Sequence, residues 1–437
     1  MAKKPIHPYA QLAISVLLIA TVVIFTLSIF RYPDRLGPIA VTTLVVTLAS
    51  FLTLLILRHF MLVWFSYLHQ RELANDAPPD GYPFISIIVP AFNEAEVIQA
   101  SMGSLLELRY PYYEIIAVDD GSTDGTYEKM RALEGNHYGV QVQVFRKENS
   151  GKADALNYGI RRSRAPIVVC MDSDSRLTPD ALRYAVRHFR DPHVGAVAGN
   201  VKVINRHNIW TKLQALEYIE GLNIVRKAQA FFRTVNVIPG PIGIFRRTAI
   251  EGTGGYDSDT FAEDFDMTVK MLAGGWKIEY EPKAVAFTEA PEELLDIIKQ
   301  RYRWSRGILQ AIRKQKHLLT RSEGTVTTPL SLWYMLFEGL IWPAMNIFAN
   351  LFFIYVALIF GMTKLLVMWW LLLTVLDVLI AIHSILMEGE DMRLAAYSIF
   401  YRFFYIVIID VTKVFATLEE LVGLDMQWGK LARKGRI

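Results

Sequence analysis

Acidic side chains recur directly after short apolar runs in the first half of this 437-residue chain. They stand as Asn93-Glu94 after FISIIV, Asp119-Asp120-Gly121 after EIIAV, and Asp172-Ser173-Asp174 after IVVCM. Each cluster alone has an ordinary explanation as turn and helix-capping chemistry. The three together are harder to explain in that way, because crowded carboxylates repel unless a cation or ligand offsets their charge. Divalent cations such as Mg²⁺ or Mn²⁺ prefer oxygen ligands of this kind and commonly bridge them to a diphosphate.

Two later clusters add other chemical groups. Ala262-Glu263-Asp264 precedes the helical pattern FDMTVKML, so a carboxylate can lie at a helix N-terminus, where negative charge is favoured. Gln300, Arg303 and Trp304 combine an amide, a guanidinium fork and an aromatic plate, which are groups that bind diphosphate oxygens and sugar faces.

These three residues lie on the basic, amphipathic stretch Pro291–Leu319, which is typical of a helix at a membrane surface. Its basic side chains are expected to hold the helix against anionic headgroups. They are Lys299, Arg301, Arg303, Arg306, Arg313, Lys314 and Lys316.

The elements that must position these residues are strands alternating with helices. Apolar runs predict strands at Phe84–Val89, Glu114–Val118, Val140–Phe145 and Ile167–Met171, with helical patterns such as Glu94–Leu108 and Ala153–Arg161 between them. This alternation predicts an α/β fold with a mostly parallel sheet, whose ligands collect at the carboxyl ends of the strands. Neither GxxxxGK[ST] nor a GxGxxG after the first strand occurs, so a metal is favoured over a glycine-rich loop for holding a nucleotide.

Apolar residues make up 52% of the chain, and they are gathered into blocks. Gln11–Phe30 and Ile39–Leu57 carry no charge, and each is long enough to cross a hydrocarbon core of ~30 Å. Apolar runs return at Pro343–Phe360 and Leu365–Ile382, and a more polar one at Ala395–Ala416. The net charge of +3 gives no reason to expect nucleic acid, and a single cysteine excludes a disulfide scaffold and a cysteine-based zinc site.

The charges around these blocks predict how the chain crosses the membrane. Lys3 and Lys4 favour a cytoplasmic N-terminus, and an uncleaved hairpin then returns the chain to the cytoplasm. The basic tail from Gly429 favours a cytoplasmic end and an even number of crossings, so either one candidate is not a full span or a re-entrant piece lies within Leu332–Trp342. In the last segment, Arg402, Asp410 and Lys413 are expected to face protein or water rather than lipid.

The predicted organisation has five parts. It comprises an N-terminal transmembrane hairpin (1–70), a cytoplasmic α/β domain (80–290), amphipathic interface helices (291–330), C-terminal transmembrane helices (331–418) and a basic cytoplasmic tail (419–437). Glu338 and Asp377 lie within the apolar blocks, where a place along a polymer path and a role in helix packing or snorkelling are equally open.

The clusters, in this order, resemble the processive, membrane-embedded synthases of glycosyltransferase family 2. The resemblance covers residues 83–320 and is carried by Val89-Pro90-Ala91-Phe92-Asn93-Glu94, Asp119-Asp120-Gly121-Ser122, Gly151-Lys152-Ala153, Asp172-Ser173-Asp174, Glu263-Asp264 and Gln300-x-x-Arg303-Trp304. It implies a GT-A-type, Rossmann-like nucleotide-sugar domain flanked by transmembrane helices. Ala262, where many relatives have threonine, is a departure that leaves Glu263 and Asp264 in place.

The resemblance also implies a role for each matching residue. Asp264, beside Glu263, matches the general base that deprotonates the acceptor hydroxyl, and Asp172 and Asp174 would hold Mn²⁺ or Mg²⁺. Gln300 and Trp304 would meet the acceptor, together with Pro239 and Gly240. The nucleotide-sugar site would comprise Pro90, Ala91, Asn93, Glu94, Asp119, Asp120, Lys152, Asp172 and Arg303.

The implied function is an inverting, processive β-glycosyltransferase in the cell membrane. It would polymerise a UDP-sugar, with UDP-N-acetylglucosamine preferred, into an extracellular polysaccharide that it passes across the membrane. The layout looks most like poly-β-1,6-N-acetylglucosamine synthases, with hyaluronan, chitin and cellulose synthases as neighbours. The expected partners are the donor, the growing polysaccharide and membrane lipids, and the resemblance also allows a small membrane subunit.

Two other functions compete with this one. One is the transfer of a single sugar to a polyprenyl phosphate or lipid, and enzymes of that kind usually lack the Gln300–Trp304 motif. The other is a membrane receptor with a degenerate nucleotide domain, which the intact Asp172, Asp174 and Asp264 disfavour.

Overall fold

A single mixed sheet organises the part of the chain between the apolar blocks. The computed structural model describes residues 38–74, 81–320 and 327–424, with positions 13, 14, 16, 17, 20 and 435. Its strands lie in the order β3-β4-β2-β1-β5-β8-β7-β9-β6. Their bounds are β1 Ile85–Ala91, β2 Tyr113–Asp119, β3 Gly135–His137, β4 Val140–Arg146, β5 Ile167–Cys170, β6 Ser175–Leu177, β7 Val194–Val203, β8 Gly243–Arg246 and β9 Lys277–Thr288.

The longer ladders of this sheet are parallel, as the sequence predicts. Strand β1 pairs in parallel with β2 and β5, and β2 pairs in parallel with β4, whereas β8 pairs antiparallel to both β5 and β7. Ala91 lies opposite Asp119 and Ile88 lies opposite Cys170. The three acidic clusters therefore follow the carboxyl ends of adjacent strands, which confirms the predicted α/β fold and brings the clusters to one edge.

Helices cover both faces of the sheet, because successive strand residues point to opposite sides. Ile87 and Val89 pack with the helix Ile98–Leu106, whereas Ile88 packs with the helix Lys152–Arg162. The other α-helices of this part are Thr126–Arg131, Ala181–Ala185, Ile209–Glu217, Val225–Ala230, Arg247–Gly252, Glu263–Ala273 and Leu294–Lys314, with short 3-10 or π turns at Val186–Arg190, Tyr218–Ile224 and Lys316–Leu319.

Four helices among the described residues are long and apolar enough to cross a membrane: Ser50–Leu73, Thr328–Phe360, Thr363–Glu388 and Met392–Val422. They indicate a multi-pass membrane protein. Some of these helices are divided into successive α, 3-10 and π segments. The segments of the four helices are Pro38–Ala74, Thr327–Leu336, Phe337–Ile341, Trp342–Phe360, Thr363–Glu388, Met392–Tyr397, Ser398–Phe400, Tyr401–Tyr405 and Ile406–Val422.

Some predictions about these helices need correction or stay open. Leu332–Trp342 is not a separate re-entrant piece, because it belongs to the unbroken helix Thr328–Phe360. The predicted span Ile39–Leu57 lies inside the longer helix Pro38–Ala74. The first predicted span, except for the isolated positions, and most of the basic tail lie outside the described residues, so the number of crossings and the domain bounds stay predictions.

Charged side chains in these long helices are paired with other helices. The Arg402 guanidinium binds Asp377 through two nitrogens, and Asn346 Nδ2 donates to Asp410 Oδ2 at 2.5 Å. These contacts confirm that Arg402 and Asp410 face protein. Glu338 forms an ion pair with Arg58 in the same way. The desolvation cost of each charge is thus offset by a hydrogen-bonded partner.

The long helices are also tied to the sheet domain. Glu388, at the end of the third long helix, accepts hydrogen bonds from Lys227 Nζ at 2.8 Å and from Asn200 Nδ2 at 2.6 Å. Glu390 lies within 2.5 Å of Lys202 Nζ and 2.6 Å of Arg206. Since Lys227 and Glu388 are both buried, this junction fixes the sheet domain against the helix bundle.

Candidate active site

A lysine ammonium lies between two carboxylates at the carboxyl edge of the sheet. Lys152 begins the helix Lys152–Arg162, and its Nζ lies 2.6 Å from Asp172 Oδ1 and 2.7 Å from Glu263 Oε1. Burial alone would lower the pKa of the Lys152 ammonium, but the charges of Asp172 and Glu263 raise it above its ordinary value. The lysine is therefore a fixed cation that joins a strand-end carboxylate to the later Glu263-Asp264 pair.

Glu263 and Asp264 begin the helix Glu263–Ala273, and their carboxyl groups differ in acidity. Burial, together with the charge of Glu263, raises the pKa of Asp264 to about 6. Burial would also raise the pKa of Glu263, but the Lys152 ammonium lowers it below the usual range. Two adjacent carboxyl groups with separated pKa values suit different roles, and a pKa of about 6 suits a base that works near neutral pH.

The loop before β8 closes over Asp172. The backbone N–H of Asp172 donates to the carbonyl oxygen of Gly240 at 3.1 Å. A Cβ added to Gly240 would come within 2.7 Å of Asp172 Oδ2, so only glycine fits here without moving the carboxylate. Pro239 and Gly240 line one pocket with Lys152, Asp172, Glu263 and Asp264. The structure thus brings these six predicted site residues together.

The helix Leu294–Lys314, named here the interface helix, meets the Glu263–Ala273 helix at a glycine. A Cβ added to Gly307 would lie 2.6 Å from the Cβ of Ala262. Arg303 lies four residues before Gly307 and so on the same helix face. The charge of Arg303 contributes to the lowered pKa of Glu263, which places the guanidinium within electrostatic reach of the carboxylate pair.

Gln300 and Trp304 lie on the same helix, and both contact Arg301. Gln300 is buried, and its Oε1 accepts a hydrogen bond from the Arg301 guanidinium. Trp304 is partly buried and packs against the larger core cluster of the sheet. Among the residues that line the pocket named above, none is Gln300 or Trp304, so their role toward an acceptor stays a prediction.

The predicted headgroup-binding role is wrong for three residues of this helix. Arg301 and Arg306 are 2% and 4% exposed and pair with Glu217 and Glu420. Lys314 Nζ lies within 3.1 Å of Asp266 and closer still to two further carboxylates. Sequence periodicity placed these cations on a polar face but could not show that protein carboxylates cover that face.

Asp119 and Asp120, predicted nucleotide residues at the end of β2, contact β4 and the loop that follows it. Both carboxylate oxygens of Asp120 accept backbone N–H bonds, from Ser150 at 3.1 Å and from Gly151 at 2.8 Å. Asp119 lies 3.3 Å from Arg146 Nε. Asp120 therefore fixes the turn that immediately precedes Lys152, which is a structural task beyond the nucleotide contact that the sequence predicts.

The remaining predicted nucleotide residues lie at the same edge. Asn93 adopts a left-handed backbone with φ of 53°, and its Oδ1 accepts from Thr123 N at 2.8 Å. The backbone N–H of Glu94 donates to Thr126 Oγ1 at 2.8 Å. Pro90 and Ala91 are the last two residues of β1 and are buried. These contacts hold the two loops together, and the nucleotide roles stay predictions.

Two groups of carboxylates offer the oxygen atoms that a metal ion requires. Asp172 lines the pocket, and Asp174 follows it two residues later and is buried. Burial raises the pKa of Asp172, and the Lys152 charge offsets only part of the rise. This pair fits a divalent cation, because its oxygen donors are the preferred type and the absence of a Cβ at Gly240 keeps the loop from pushing on Asp172 Oδ2.

The second group is Asp257, Asp259 and Asp266, the three carboxylates found within 4.8 Å of one another among the described residues. Lys314 Nζ occupies it, at 2.5 Å, 2.8 Å and 3.1 Å from the three residues in turn. This group is therefore an ion-pair junction between the interface helix and the Glu263–Ala273 helix, and it is not the acidic pair predicted from the sequence.

Two pocket residues, and a third residue that supports one of them, were not predicted from the sequence. Tyr256 and Cys170 line the pocket, and burial raises the pKa of the Cys170 thiol to about 12. Asn157 holds the tyrosine in place, because its Nδ2 donates to Tyr256 O at 2.7 Å and its Oδ1 accepts from Tyr256 N at 2.9 Å. These residues belong to no clustered motif, and 99 positions separate Asn157 from Tyr256, so no local signal could have joined them.

Comparison with known proteins agrees with the family resemblance described from the sequence. Residues 86–254 match the family described as Glycosyl transferase family 2. A poly-β-1,6-N-acetyl-D-glucosamine synthase of Staphylococcus aureus (strain COL) is 35% identical over 224 residues, which cover 51% of this chain and 54% of the relative. The synthase of Staphylococcus epidermidis is 34% identical over 256 residues, which cover 58% and 60%. The chain thus spans little more than half the length of the curated relatives it matches.

A solved structure extends the likeness into the long helices. The mannosyltransferase of Pyrobaculum calidifontis, in complex with GDP-Man and Mn²⁺, aligns with a TM-score of 0.61 over 83% of this chain and 96% of its own. At 22% identity the likeness shows the fold alone. It supports a GT-A-like arrangement of the sheet and its helices.

Proposed function

Residues 86–254 form a family 2 glycosyltransferase domain, and from this premise we propose that the protein is an inverting, processive β-glycosyltransferase. Its donor would be a UDP-sugar, with UDP-N-acetylglucosamine preferred because poly-β-1,6-N-acetyl-D-glucosamine synthases are among the relatives. Its product would be a polysaccharide that the protein passes across the cell membrane. The catalytic domain would face the cytoplasm, where nucleotide sugars are made.

The observation that carries the proposal is the position of Asp264. This carboxyl lines the same pocket as Asp172 and Lys152, and its pKa is raised to about 6. A sugar hydroxyl is a poor nucleophile until a positioned base removes its proton as it attacks. An ionised Asp264 at neutral pH would take that proton, and attack on the face opposite the departing diphosphate would invert the anomeric carbon.

The cations of the site would stabilise the departing diphosphate. Arg303 offers a guanidinium fork suited to diphosphate oxygens, and Lys152 is held at the centre of the pocket by its two carboxylates. Asp172 and Asp174 would hold Mn²⁺ or Mg²⁺, which supplies charge neutralisation when it is bound. The solved mannosyltransferase with the same fold was studied with Mn²⁺, which supports a divalent cation here.

Processive synthesis is supported by the position of the acceptor motif. Gln300 and Trp304 lie on the interface helix, which packs beside the fourth long helix through Arg306 and Glu420. Synthesis and passage of the product would then take place in adjoining parts of one chain. Glu338 and Asp377 face protein partners in the bundle, so either could line a polar path when its arginine moves.

A donor panel tests the proposal. Purified protein in nanodiscs receives Mn²⁺ and one radiolabelled UDP-sugar at a time, and the product is sized by gel filtration. We expect long saccharide from one donor, with UDP-N-acetylglucosamine best. A product limited to one added sugar on a lipid would refute processive synthesis and support the single-transfer alternative. The same panel includes GDP-mannose, since the solved structure with this fold is a mannosyltransferase bound to GDP-Man.

A further inference from the structure

Arg301 occupies an unspecified position of the Gln300-x-x-Arg303-Trp304 motif, and the sequence predicted for it only a contact with lipid headgroups. Its guanidinium carbon lies 4.2 Å from the centroid of the Trp304 ring, which is within the range of a cation–π contact. The same guanidinium donates to Gln300 Oε1. One buried cation therefore contacts both residues to which the proposed function gives acceptor roles.

A carboxylate from another helix fixes this guanidinium. Arg301 Nε donates to Glu217 Oε1 at 3.0 Å, and a second nitrogen donates to the other oxygen of the same carboxylate. Two parallel bonds of this kind set the plane of the guanidinium as well as its position. Glu217 is the last residue of the helix Ile209–Glu217, so the plane is set from the sheet domain.

The fourth long helix reaches the same carboxylate. The Tyr405 hydroxyl donates to Glu217 Oε2 at 2.6 Å. Tyr405 is fully buried and packs with Ile297 of the interface helix, Leu213 and Ile409 in one apolar cluster. Three helices therefore meet at the Glu217 carboxylate, and a close-packed cluster beneath them leaves little freedom for the tyrosine to move alone.

We propose that Arg301 is the positioning residue of the acceptor platform and that Tyr405 couples this platform to the fourth long helix. This inference rests on the proposed function. Arg301 covers part of the Trp304 ring and fixes the orientation of the ring. The acceptor sugar contacts the part of the ring that Arg301 leaves uncovered. A shift of the fourth long helix at Tyr405 changes the hydrogen bonds of Glu217, then the guanidinium plane, and then the Trp304 ring. Movement in the helix bundle thereby changes acceptor binding without altering the donor pocket.

The test compares Arg301→Lys with Arg306→Lys in the full chain in nanodiscs. Arg306 is a matched control, because it lies on the same helix, is 4% exposed and pairs with Glu420 at 2.8 Å on the same long helix. For Arg301→Lys we expect the KM for an added oligosaccharide to rise about tenfold and the product to shorten, with the KM for UDP-sugar within about twofold of wild type. Arg306→Lys should lower thermal stability. The ratio of the oligosaccharide KM to the UDP-sugar KM should stay as in wild type.

Tyr405→Phe tests the coupling itself, because it removes one hydroxyl and keeps the buried ring. We expect the acceptor KM to rise about two- to threefold with the donor KM unchanged. UDP affinity, measured by calorimetry, reports whether each variant is folded. If Arg301→Lys fails to bind UDP, the comparison of Tyr405→Phe with Arg306→Lys decides whether the fourth long helix affects acceptor binding.

The outcomes separate this inference from the function on which it rests. A wild-type protein that elongates saccharides while Arg301→Lys and Tyr405→Phe elongate them with unchanged acceptor KM would overturn the inference alone. An equal acceptor defect in Arg306→Lys would also overturn it, because the effect would then be general packing. A wild-type protein that elongates no saccharide would overturn the proposed function and the inference together.

Discussion

Gly307 of the interface helix lies against Ala262 with no space for a side chain between them. A Cβ on Gly307 would fall 2.6 Å from both the Cβ and the backbone nitrogen of Ala262. Contacts with backbone cannot be relieved by rotating a side chain, so any added carbon must push the two helices apart. This contact sets the distance between Arg303 and the Glu263-Asp264 pair.

Gly307→Ala is therefore expected to destabilise the protein by about 1–3 kcal/mol, the usual cost of overpacking. It should also lower kcat for transfer, because Arg303 moves away from the pocket. Thermal unfolding and initial rates measure the two effects. Gly103→Ala is the control, since no atom lies within 4 Å of a Cβ built there, and its helix should gain about 0.5–1 kcal/mol. Equal stability in the two variants would contradict the close contact.

Asp264→Asn should lower the transfer rate by about 10²–10⁴-fold, the usual contribution of a positioned base, while UDP affinity stays near that of wild type. Rates with radiolabelled donor and calorimetry with UDP provide the measurements. Asp259→Asn serves as the control, because that carboxylate is exposed and lies outside the pocket. Retained turnover in Asp264→Asn would remove this residue as the base.

The pH dependence follows from the same carboxyl. Burial raises the pKa of Asp264 to about 6, and only the ionised form accepts a proton. The transfer rate should therefore be constant near pH 7–8 and fall about tenfold per unit as the pH drops below about 6. A pH–rate profile at saturating donor checks this. An acid limb near pH 4, the range of an ordinary aspartate, would argue against Asp264 as the base.

Lys152→Gln should have opposite effects on metal and donor binding. The ammonium lies 2.6 Å from Asp172, so removing its charge removes a competitor for that carboxylate. We expect Mn²⁺ to bind about tenfold more tightly without nucleotide, and UDP-sugar to bind more weakly. Electron paramagnetic resonance of free Mn²⁺ measures the first effect. Lys277→Gln should change neither affinity, because that lysine pairs with Asp191 and neither residue lines the pocket. Unchanged Mn²⁺ binding in Lys152→Gln would refute the competition.

Lys314→Ala tests the junction with Asp257, Asp259 and Asp266. Removal of the ammonium should cost about 1–3 kcal/mol, because the buried Asp266 loses a charged hydrogen-bond donor. Millimolar Ca²⁺ should raise the melting temperature of the variant by more than that of wild type, because Asp257, Asp259 and Asp266 are open to a cation only when the ammonium is gone. Lys299→Ala, at an exposed position of the same helix, should stay within about 0.5 kcal/mol of wild type. An equal Ca²⁺ effect on Lys314→Ala and wild type would show that the lysine does not fill this group.

The sequence predicted the sheet and its acidic edge well because both depend on local patterns. Each strand of the parallel core is a short apolar run, and Asp119 and Asp172 follow such runs directly. Parallel pairing then places them at one edge whatever the details of the loops. The Glu263-Asp264 pair was likewise readable, since its helix begins at that position.

Contacts between distant residues were not readable in the same way. Arg301 and Glu217 are 84 positions apart, and Tyr405 and Glu217 are 188 apart. Helical periodicity gave Arg301 a polar face but could not distinguish lipid headgroups from a buried carboxylate. The match of Gly307 with Ala262 depends on how two helices pack, and neither residue type marks that contact in isolation.

The contacts of the interface helix also determine when the enzyme becomes complete during its synthesis. Tyr302 and Arg306 bind Glu419 and Glu420, partners made 117 and 114 residues later. The ribosome therefore finishes the sheet and the pocket around Lys152 and Asp172 well before the part of the interface helix that carries Trp304 has its support. That support arrives only after the four long helices have been made. Under the proposed function, this order would delay elongation of the saccharide until those helices are in place.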